Sequence, residues 1–239
     1  MLLIDIGNSR IKWALAENGI LLHRGSADVS DWAAVQRAWA DLPDPRKIVV
    51  SNVAGEEAAA RLRAICAAWA CPVEFITAEA QQCGVKNRYD EPTQLGSDRW
   101  AALIGAWHQV GTDCLVVNMG TATTVDALSA EGEFLGGLIL PGVIMMRASL
   151  SAGTAQLSVV AGNWREFPRN TADAIAAGTI QATAGAIRQQ YELLCRPDAL
   201  CVLSGGAAES VGAHLNLPLL QLDDLVLRGL NIIGQETDK

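Results

Sequence analysis

Near its start the chain reads Asp5-Ile6-Gly7-Asn8-Ser9-Arg10-Ile11-Lys12. A carboxylate ending an apolar strand, a glycine that lets backbone N–H groups approach an anion, small polar side chains and a lysine one strand later suit a nucleotide's phosphates. The N–H groups cradle oxygens, Lys12 adds a point charge, and Asp5 holds Mg2+ directly or through water. The same residues also make an ordinary hairpin whose Gly7 and Asn8 serve only the turn, and the segment alone leaves both readings open. Gly120-Thr121-Ala122-Thr123-Thr124 is a second stretch of hydroxyls and small residues able to approach phosphate, although threonine also favours plain strands. Leu203-Ser204-Gly205-Gly206-Ala207-Ala208 reads as strand, glycine turn and helix start, where an anion or a ribose can meet backbone donors or where the chain simply turns. Tyr89 through Trp100 closes a polar stretch and opens a helix. There Ser97 or Asp98 can act as a cap, and Asp98 beside Arg99 can also act as a base next to an anion-binding guanidinium.

Other chemistries are excluded. The chain has no G-x-x-x-x-G-K followed by Ser or Thr, no G-x-G-x-x-G after a strand, no H-E-x-x-H and no G-x-S-x-G. Ser9-Arg10-Ile11-Lys12 fits S-x-x-K but lies in a hairpin, not at a helix start. His23, His108 and His214 are solitary, which argues against a histidine triad or a zinc site. The seven tryptophans sit mostly in apolar periodic segments and are expected in cores.

The elements that must position these groups follow from periodicity. Leu2 to Gly7, Ile11 to Ala16 and Ile20 to His23 read as strands separated by tight turns, the second at Glu17-Asn18-Gly19. Ile48 to Ser51, a helix over Glu56 to Trp69 and Val73 to Ile76 read as a β-α-β crossover. Residues 78 to 97 are polar with little periodicity, and a helix is expected from Asp98 to Val110. A strand opens at Cys114, helical periodicity runs from Thr171 to Cys195, a strand covers Leu200 to Ser204, and a last helix starts near Asp223. Shifting the chain by 113 positions, without a gap, lays Asp5 on Asn118, Gly7 on Gly120, Ala14-Leu15 on Ala127-Leu128 and Gly19 on Gly132. The spacing predicts a duplicated α/β architecture with halves at 1–112 and 113–239, each beginning with a glycine-turn hairpin.

Half of the 239 residues are hydrophobic and 18% are charged, a balance that builds packed cores and rules out disorder. With 22 glycines and only 5% aromatics, α/β packing is expected rather than a β-sandwich. A net charge of -8 argues against nucleic acid and against an anionic membrane surface as partners. The six cysteines form no C-x-x-C pair, and Met1-Leu2-Leu3-Ile4-Asp5 lacks the basic and long apolar regions of a signal peptide. No apolar run is long enough to span a bilayer, and the expectation is a reduced, cytoplasmic protein complete from Met1.

The ordered set Asp5-x-Gly7-Asn8-Ser9, Leu95-Gly96-Ser97-Asp98-Arg99-Trp100, Gly120 to Asp126, Gly136 to Gly142, Asn170 to Gly178 and Ser204 to Ala207 resembles the type III pantothenate kinases. The resemblance spans nearly the whole chain, and Leu95 to Arg99 is its most specific part. It implies the superfamily of acetate and sugar kinases, heat-shock ATPases and actin, with two duplicated ribonuclease H-like domains and an ATP cleft between them. By the same resemblance Asp5 to Lys12 (Asp5, Ile6, Gly7, Asn8, Ser9, Arg10, Ile11, Lys12) and Thr121 line the ATP phosphates, and Asp5 organises Mg2+. Asp98 is then the general base for the primary hydroxyl of pantothenate, and Tyr89, Gly96, Ser97 and Arg99 hold that substrate. Thr171 completes a pantothenate pocket formed at a homodimer interface. Relatives commonly carry Asp where this chain has Asn118, and that carboxylate is associated with a required monovalent cation, K+ or NH4+. An amide brings no negative charge, so with Asn118, even beside Asp126, weaker cation dependence is expected. Members of this family have also been described as Bvg accessory factors, which gives the rival reading of a nucleotide-binding regulator with little catalysis. A kinase acting on another small polyol is a third reading, against which stand Tyr89 and the Leu95 to Arg99 block.

Overall fold

The computed structural model describes residues 1–152 and 162–236. In chain order it contains β1 (Leu2–Ile6), β2 (Arg10–Glu17), β3 (Ile20–Asp28), α1 (Trp32–Trp39), β4 (Ile48–Asn52), α2 (Glu56–Cys66), β5 (Val73–Phe75), β6 (Gln81–Gln82) and β7 (Val85–Asn87). A 3₁₀ turn at Pro92–Gln94 leads to α3 (Ser97–Val110), followed by β8 (Cys114–Met119), β9 (Ala122–Leu128), β10 (Glu133–Pro141) and α4 (Val143–Ala152). The remainder is α5 (Thr171–Leu194), β11 (Leu200–Ser204), α6 (Ala208–Gly212), β12 (Leu219–Gln221) and α7 (Leu225–Glu236). These elements form two compact units, one of Met1–Gly111 with Gly132–Phe134 and Asp224–Lys239, the other of Thr112–Glu131 with Leu135–Asp223.

The first unit is built on a sheet of order β3-β2-β1-β4-β5. β1 runs antiparallel to β2 and parallel to β4, and β4 continues through α2 to a parallel β5, as the crossover pattern predicts. Side chains alternate between the two faces of a strand. Leu2, Ile4 and Ile6 therefore point one way, with Ile11, Trp13 and Leu15, into a core closed by Val35 and Trp39 of α1 and by Ala58, Leu62 and Cys66 of α2. Leu3 and Asp5 point the other way with Val49 and Ser51, toward the face on which α3 and α7 pack.

The contact between α3 and α7 is made backbone to backbone. A Cβ added to Gly105 would stand 2.7 Å from the carbonyl oxygen of Leu225 and 3.1 Å from the amide nitrogen of Gly229. Neither neighbour is a side chain that can swing away, so Gly105→Ala is expected to destabilise the protein by about 1–3 kcal/mol, the usual scale of overpacking. Chemical denaturation of the variant checks this, and an unchanged midpoint would mean that the helices separate at no cost.

In the second unit the strand order is β12-β11-β8-β9-β10. β11 lies parallel to β8 and β12, and β8 is antiparallel to β9. Leu115, Val117, Met119, Val125, Cys201 and Leu203 pack with Ala184 and Ile187 of α5 and Val211 of α6. Val116, Asn118, Thr124 and Asp126 consequently share the opposite face of the β8–β9 pair.

Several expectations need correction. The two hairpins correspond, but β1 and β2 close at Ile6↔Ile11 whereas β8 and β9 close at Met119↔Thr123, so the second turn is one residue shorter. The gapless shift slips by one there, and the counterpart of the Asp5↔Lys12 pair is Asn118↔Thr124, which carries no charge. Neither Ser97 nor Asp98 caps α3. The cap is Gly96, without a side-chain hydrogen bond, and both residues lie inside the first turn. The polar stretch 78–97 holds β6 and β7, and β7 pairs with Glu133 and Phe134. Trp164 lies outside any core, exposed and stacked on His214 with ring centroids 4.2 Å apart.

Candidate active site

At the end of β1, Asp5 sits between Lys12 on β2 and Ser51 on β4, its registered neighbours on the same face of the sheet. Ser51 is fully buried, and its Oγ lies 3.0 Å from Oγ of Ser97, the first residue of α3. Oδ1 of Asp5 is buried without any hydrogen-bond partner. A carboxylate with one buried, orphaned oxygen is costly unless the group is protonated or something arrives to neutralise it. The pKa of Asp5 is accordingly pushed up to about 7, first by burial and then by the negative charge of Asp98, against the pull of Lys12 and the Ser51 hydrogen bond.

Asp98 follows Ser97, and its Oδ1 accepts the backbone N–H of Arg99 at 2.8 Å. A Cβ at Gly96 would come within 2.7 Å of that oxygen, so glycine at this position leaves the carboxylate room to fold back over the helix start. Burial raises the pKa of Asp98, opposed by the Arg99 N–H and the Arg99 charge. Two carboxylates close enough to repel each other, both with raised pKa values, favour either a shared proton or a cation.

Arg99 is buried, and its guanidinium donates from Nη1 to the Tyr89 hydroxyl at 2.9 Å. It stands 5.7 Å from the ring centroids of both Tyr89 and Phe134, which pack on each other at 5.2 Å. Asn87 fixes this corner, accepting the Tyr89 N–H and donating to the Pro92 carbonyl, both at 3.1 Å. A planar cation beside aromatic faces is a setting suited to carboxylate recognition.

The turn after β1 is tight, with the Gly7 N–H donating to the Arg10 carbonyl at 3.0 Å. Ile6 and Ile11 are core residues, and the Arg10 guanidinium bonds Ser26. To a ligand this segment offers its backbone together with Asp5, Asn8, Ser9 and Lys12, and Asn8 and Ser9 are exposed. In the second unit the Thr121 carbonyl accepts the Gly142 N–H at 2.9 Å. Gly205, at φ +95°, lies against Met119, whose carbonyl carbon a Cβ would approach to 2.6 Å. Thr171 is exposed at the start of α5, where the Asn170 side chain accepts the Asp173 N–H at 2.9 Å. Asp126 is almost wholly buried on β9, and Asn118 pairs with Thr124.

The structure thus brings Asp5, Lys12, Ser97 and Asp98 together in the first unit, with Tyr89, Gly96 and Arg99 beside them. It adds Ser51 and Phe134, which sequence reasoning missed. Ser51 was visible only as a polar residue ending the apolar run Ile48-Val49-Val50.

Among the described residues no group of three or more His, Cys, Asp or Glu is arranged around a metal position. Mg2+ takes one or two carboxylates and draws its other ligands from phosphate and water. The orphaned Oδ1 of Asp5, with Asp98 nearby, fits such an ion.

The family model for type III pantothenate kinases matches residues 1–193. The type III pantothenate kinase of Aromatoleum aromaticum is 46% identical over 237 residues, covering 99% of this chain and 98% of the relative. A solved Campylobacter jejuni protein described as a Baf family transcriptional activator superposes with a TM-score of 0.64 at 22% identity, covering 100% of both chains. A Listeria monocytogenes protein described as an N-acetylmannosamine kinase superposes with a TM-score of 0.53 at 15% identity, covering 99% of each. At such identities the structural likeness speaks for the fold, a pair of ribonuclease H-like α/β domains. The sequence matches, which run through the Asp5 hairpin and the Leu95 to Arg99 block alike, go further: the chain belongs to the type III pantothenate kinases.

Proposed function

We infer that this protein transfers the γ-phosphoryl group of ATP to the primary hydroxyl of pantothenate, giving 4'-phosphopantothenate, the first step toward coenzyme A. The observation that carries the reading is the pair of half-buried carboxylates, Asp5 and Asp98, set beside the Arg99–Tyr89 corner. Phosphoryl transfer asks a protein mainly for positioning and for charge compensation. In this reading the backbone from Ile6 to Ile11, with Asn8, Ser9 and Lys12, holds the ATP phosphates, and Thr121 contributes to the same nucleotide. Asp5 and its Oδ1 hold Mg2+, which neutralises charge on the phosphates when bound. Asp98 takes the proton from the pantothenate hydroxyl. Arg99 binds the pantothenate carboxylate, Tyr89 orients the guanidinium, and Gly96, Ser97 and Thr171 complete the pocket. The duplication boundary between residues 112 and 113 belongs to the same proposal. A module that only bound nucleotide would have no use for a second carboxylate beside the first.

A homodimer is part of the proposal. Leu135 and Ile139 on β10, and Ile144, Met145 and Leu150 on α4, are large apolar residues left exposed in the second unit, the kind of surface that a second copy covers. No helix among the described residues is long and apolar enough to cross a membrane. We place the reaction in the cytoplasm, and the six free thiols are in the form that a reducing compartment maintains.

The monovalent cation is the point at which this chain is proposed to differ from its relatives. Asn118 faces Thr124, so the position supplies neutral oxygens where a carboxylate is usual. A coupled ADP-release assay with ATP and Mg2+, run with K+, with NH4+ and with neither, tests both statements. Pantothenate-dependent turnover that persists without either cation is expected. A strict K+ requirement with tight half-activation would overturn the Asn118 argument. Absence of pantothenate-dependent turnover, from folded protein that still binds ATP, would overturn the kinase assignment.

A further inference from the structure

A hydroxyl pair links the two carboxylate-bearing elements of the site. Ser51 is fully buried on β4, in register with Asp5. Its Oγ is 3.0 Å from Ser97 Oγ, and its hydroxyl is among the groups that draw the Asp5 pKa down. A serine has one proton to donate, and an ionised carboxylate can only accept. With a cation holding Asp5 ionised, a Ser51 hydroxyl turned toward Asp5 leaves Ser97 as the donor to Ser51. Ser97 is available for this because α3 is capped by Gly96 and asks no side-chain hydrogen bond of it. The next residue along the helix is Asp98.

We propose that Ser51 is a positioning residue for the metal-bearing carboxylate, fixing Asp5 on one side and, through Ser97, the start of α3 on the other. The inference rests on the reading of Asp5 as the Mg2+ carboxylate. Ser51 touches neither substrate nor metal. It limits the orientations open to the carboxylate and so presents Oδ1, the oxygen without a partner, to the ion. A partner of this kind, one bond removed from the metal, commonly alters metal affinity by about 10- to 100-fold.

The test uses the full chain with ADP present and Mn2+ as a spectroscopic stand-in for Mg2+. Ser51→Ala is expected to weaken Mn2+ binding by about 10-fold, read by electron paramagnetic resonance, and to raise the half-activating Mg2+ concentration by the same factor. The far-ultraviolet circular dichroism is expected to match wild type, which a general disturbance of the fold would not permit. Ser51→Thr, which keeps the hydroxyl, is expected to restore metal affinity. Ser97→Ala should shift affinity in the same direction by a smaller factor. The double variant should be no worse than Ser51→Ala alone, because the chain of hydroxyls is already broken. Unchanged Mn2+ affinity in Ser51→Ala, or fully additive losses in the double variant, would overturn the proposal. Should Ser51→Ala not fold, Ser97→Ala carries the test alone, and unchanged Mn2+ affinity there would overturn it equally. Asp5→Asn separates the two levels. If it leaves Mn2+ binding intact, the metal reading itself fails and takes this inference with it. If it abolishes binding while Ser51→Ala changes nothing, only the positioning role is lost.

Discussion

Asp98→Asn is expected to lower kcat by about 10²–10⁴, the range for loss of a general base, while calorimetry should still find ADP and Mg2+ bound. Asparagine keeps the shape that Gly96 makes room for and still accepts the Arg99 N–H, so binding geometry survives. What disappears is an oxygen that can take a proton. Burial raises the Asp98 pKa, and a base works only when deprotonated, so wild-type kcat/KM for pantothenate should climb with pH along an acid limb above the ordinary carboxylate range. In the variant that limb should flatten. Near-normal turnover in Asp98→Asn would remove the residue from this role, and an unchanged acid limb would assign the limb to another group.

Asp5→Asn is expected to act in opposite directions on activity and stability. Turnover should fall by about 10²–10³, the scale on which a single preorganised electrostatic group contributes. Stability without metal should rise. The folded-state pKa of about 7 stands well above the ordinary aspartate value of 3.8. A carboxyl raised in this way favours the protonated form, so the folded state binds more protons than the unfolded state between those two values. Stability of the metal-free protein therefore declines as pH rises from about 4 to about 7, by up to about 4 kcal/mol at 1.4 kcal/mol per unit. Replacing the carboxylate with an amide removes that penalty. At pH 8 in the presence of a chelator the variant should melt several degrees above wild type, at about 2–4 °C per kcal/mol for a chain of this size. At pH 4 the two should converge, and saturating Mg2+ with ADP should narrow the gap at pH 8 by stabilising only the wild type. A variant that melts below wild type at pH 8 without metal would show that the buried charge is already compensated within the protein.

Much of this arrangement can be read from local pattern. Alternating apolar residues, with Gly7 and Asn18-Gly19 as turns, locate β1, β2 and β3, and the helical spacing of Leu103, Ile104 and Trp107 locates α3. Those signals lie within a few residues of each other, where short-range geometry decides the outcome. What escapes the sequence depends on distant partners. β6 and β7 are only two and three residues long, and β7 exists because Glu133 and Phe134 pair with it. Helix α1 was missed although Asp31 caps it and Val35 and Trp39 bury themselves one turn apart; Trp32 and the many alanines around them blur the stripe. The candidate site divides in the same way. Asp5, Lys12, Asp98 and Arg99 stand out as charges in unusual company, whereas Ser51 looks like any strand-ending serine until the parallel register of β1 and β4 lays it against Asp5. Phe134 likewise joins Arg99 only through that late pairing with β7.

α7 gives the protein a history as well as a shape. The sheet that carries Asp5 and the helix that carries Asp98 are translated first, yet the helix that covers them is Leu225–Glu236, made only after all of Thr112–Glu131 and Leu135–Asp223. Until then Leu3, Val49 and the Gly105 side of α3 face water on the ribosome, an apolar surface open to chaperones and to other nascent chains. A chain terminated before Leu225 would lack the cover over the half that holds both carboxylates, and proteases would meet it as unfinished protein. Completion of synthesis is thus a condition for assembly of the half that carries Asp5 and Asp98, and truncated chains should be cleared rather than accumulate.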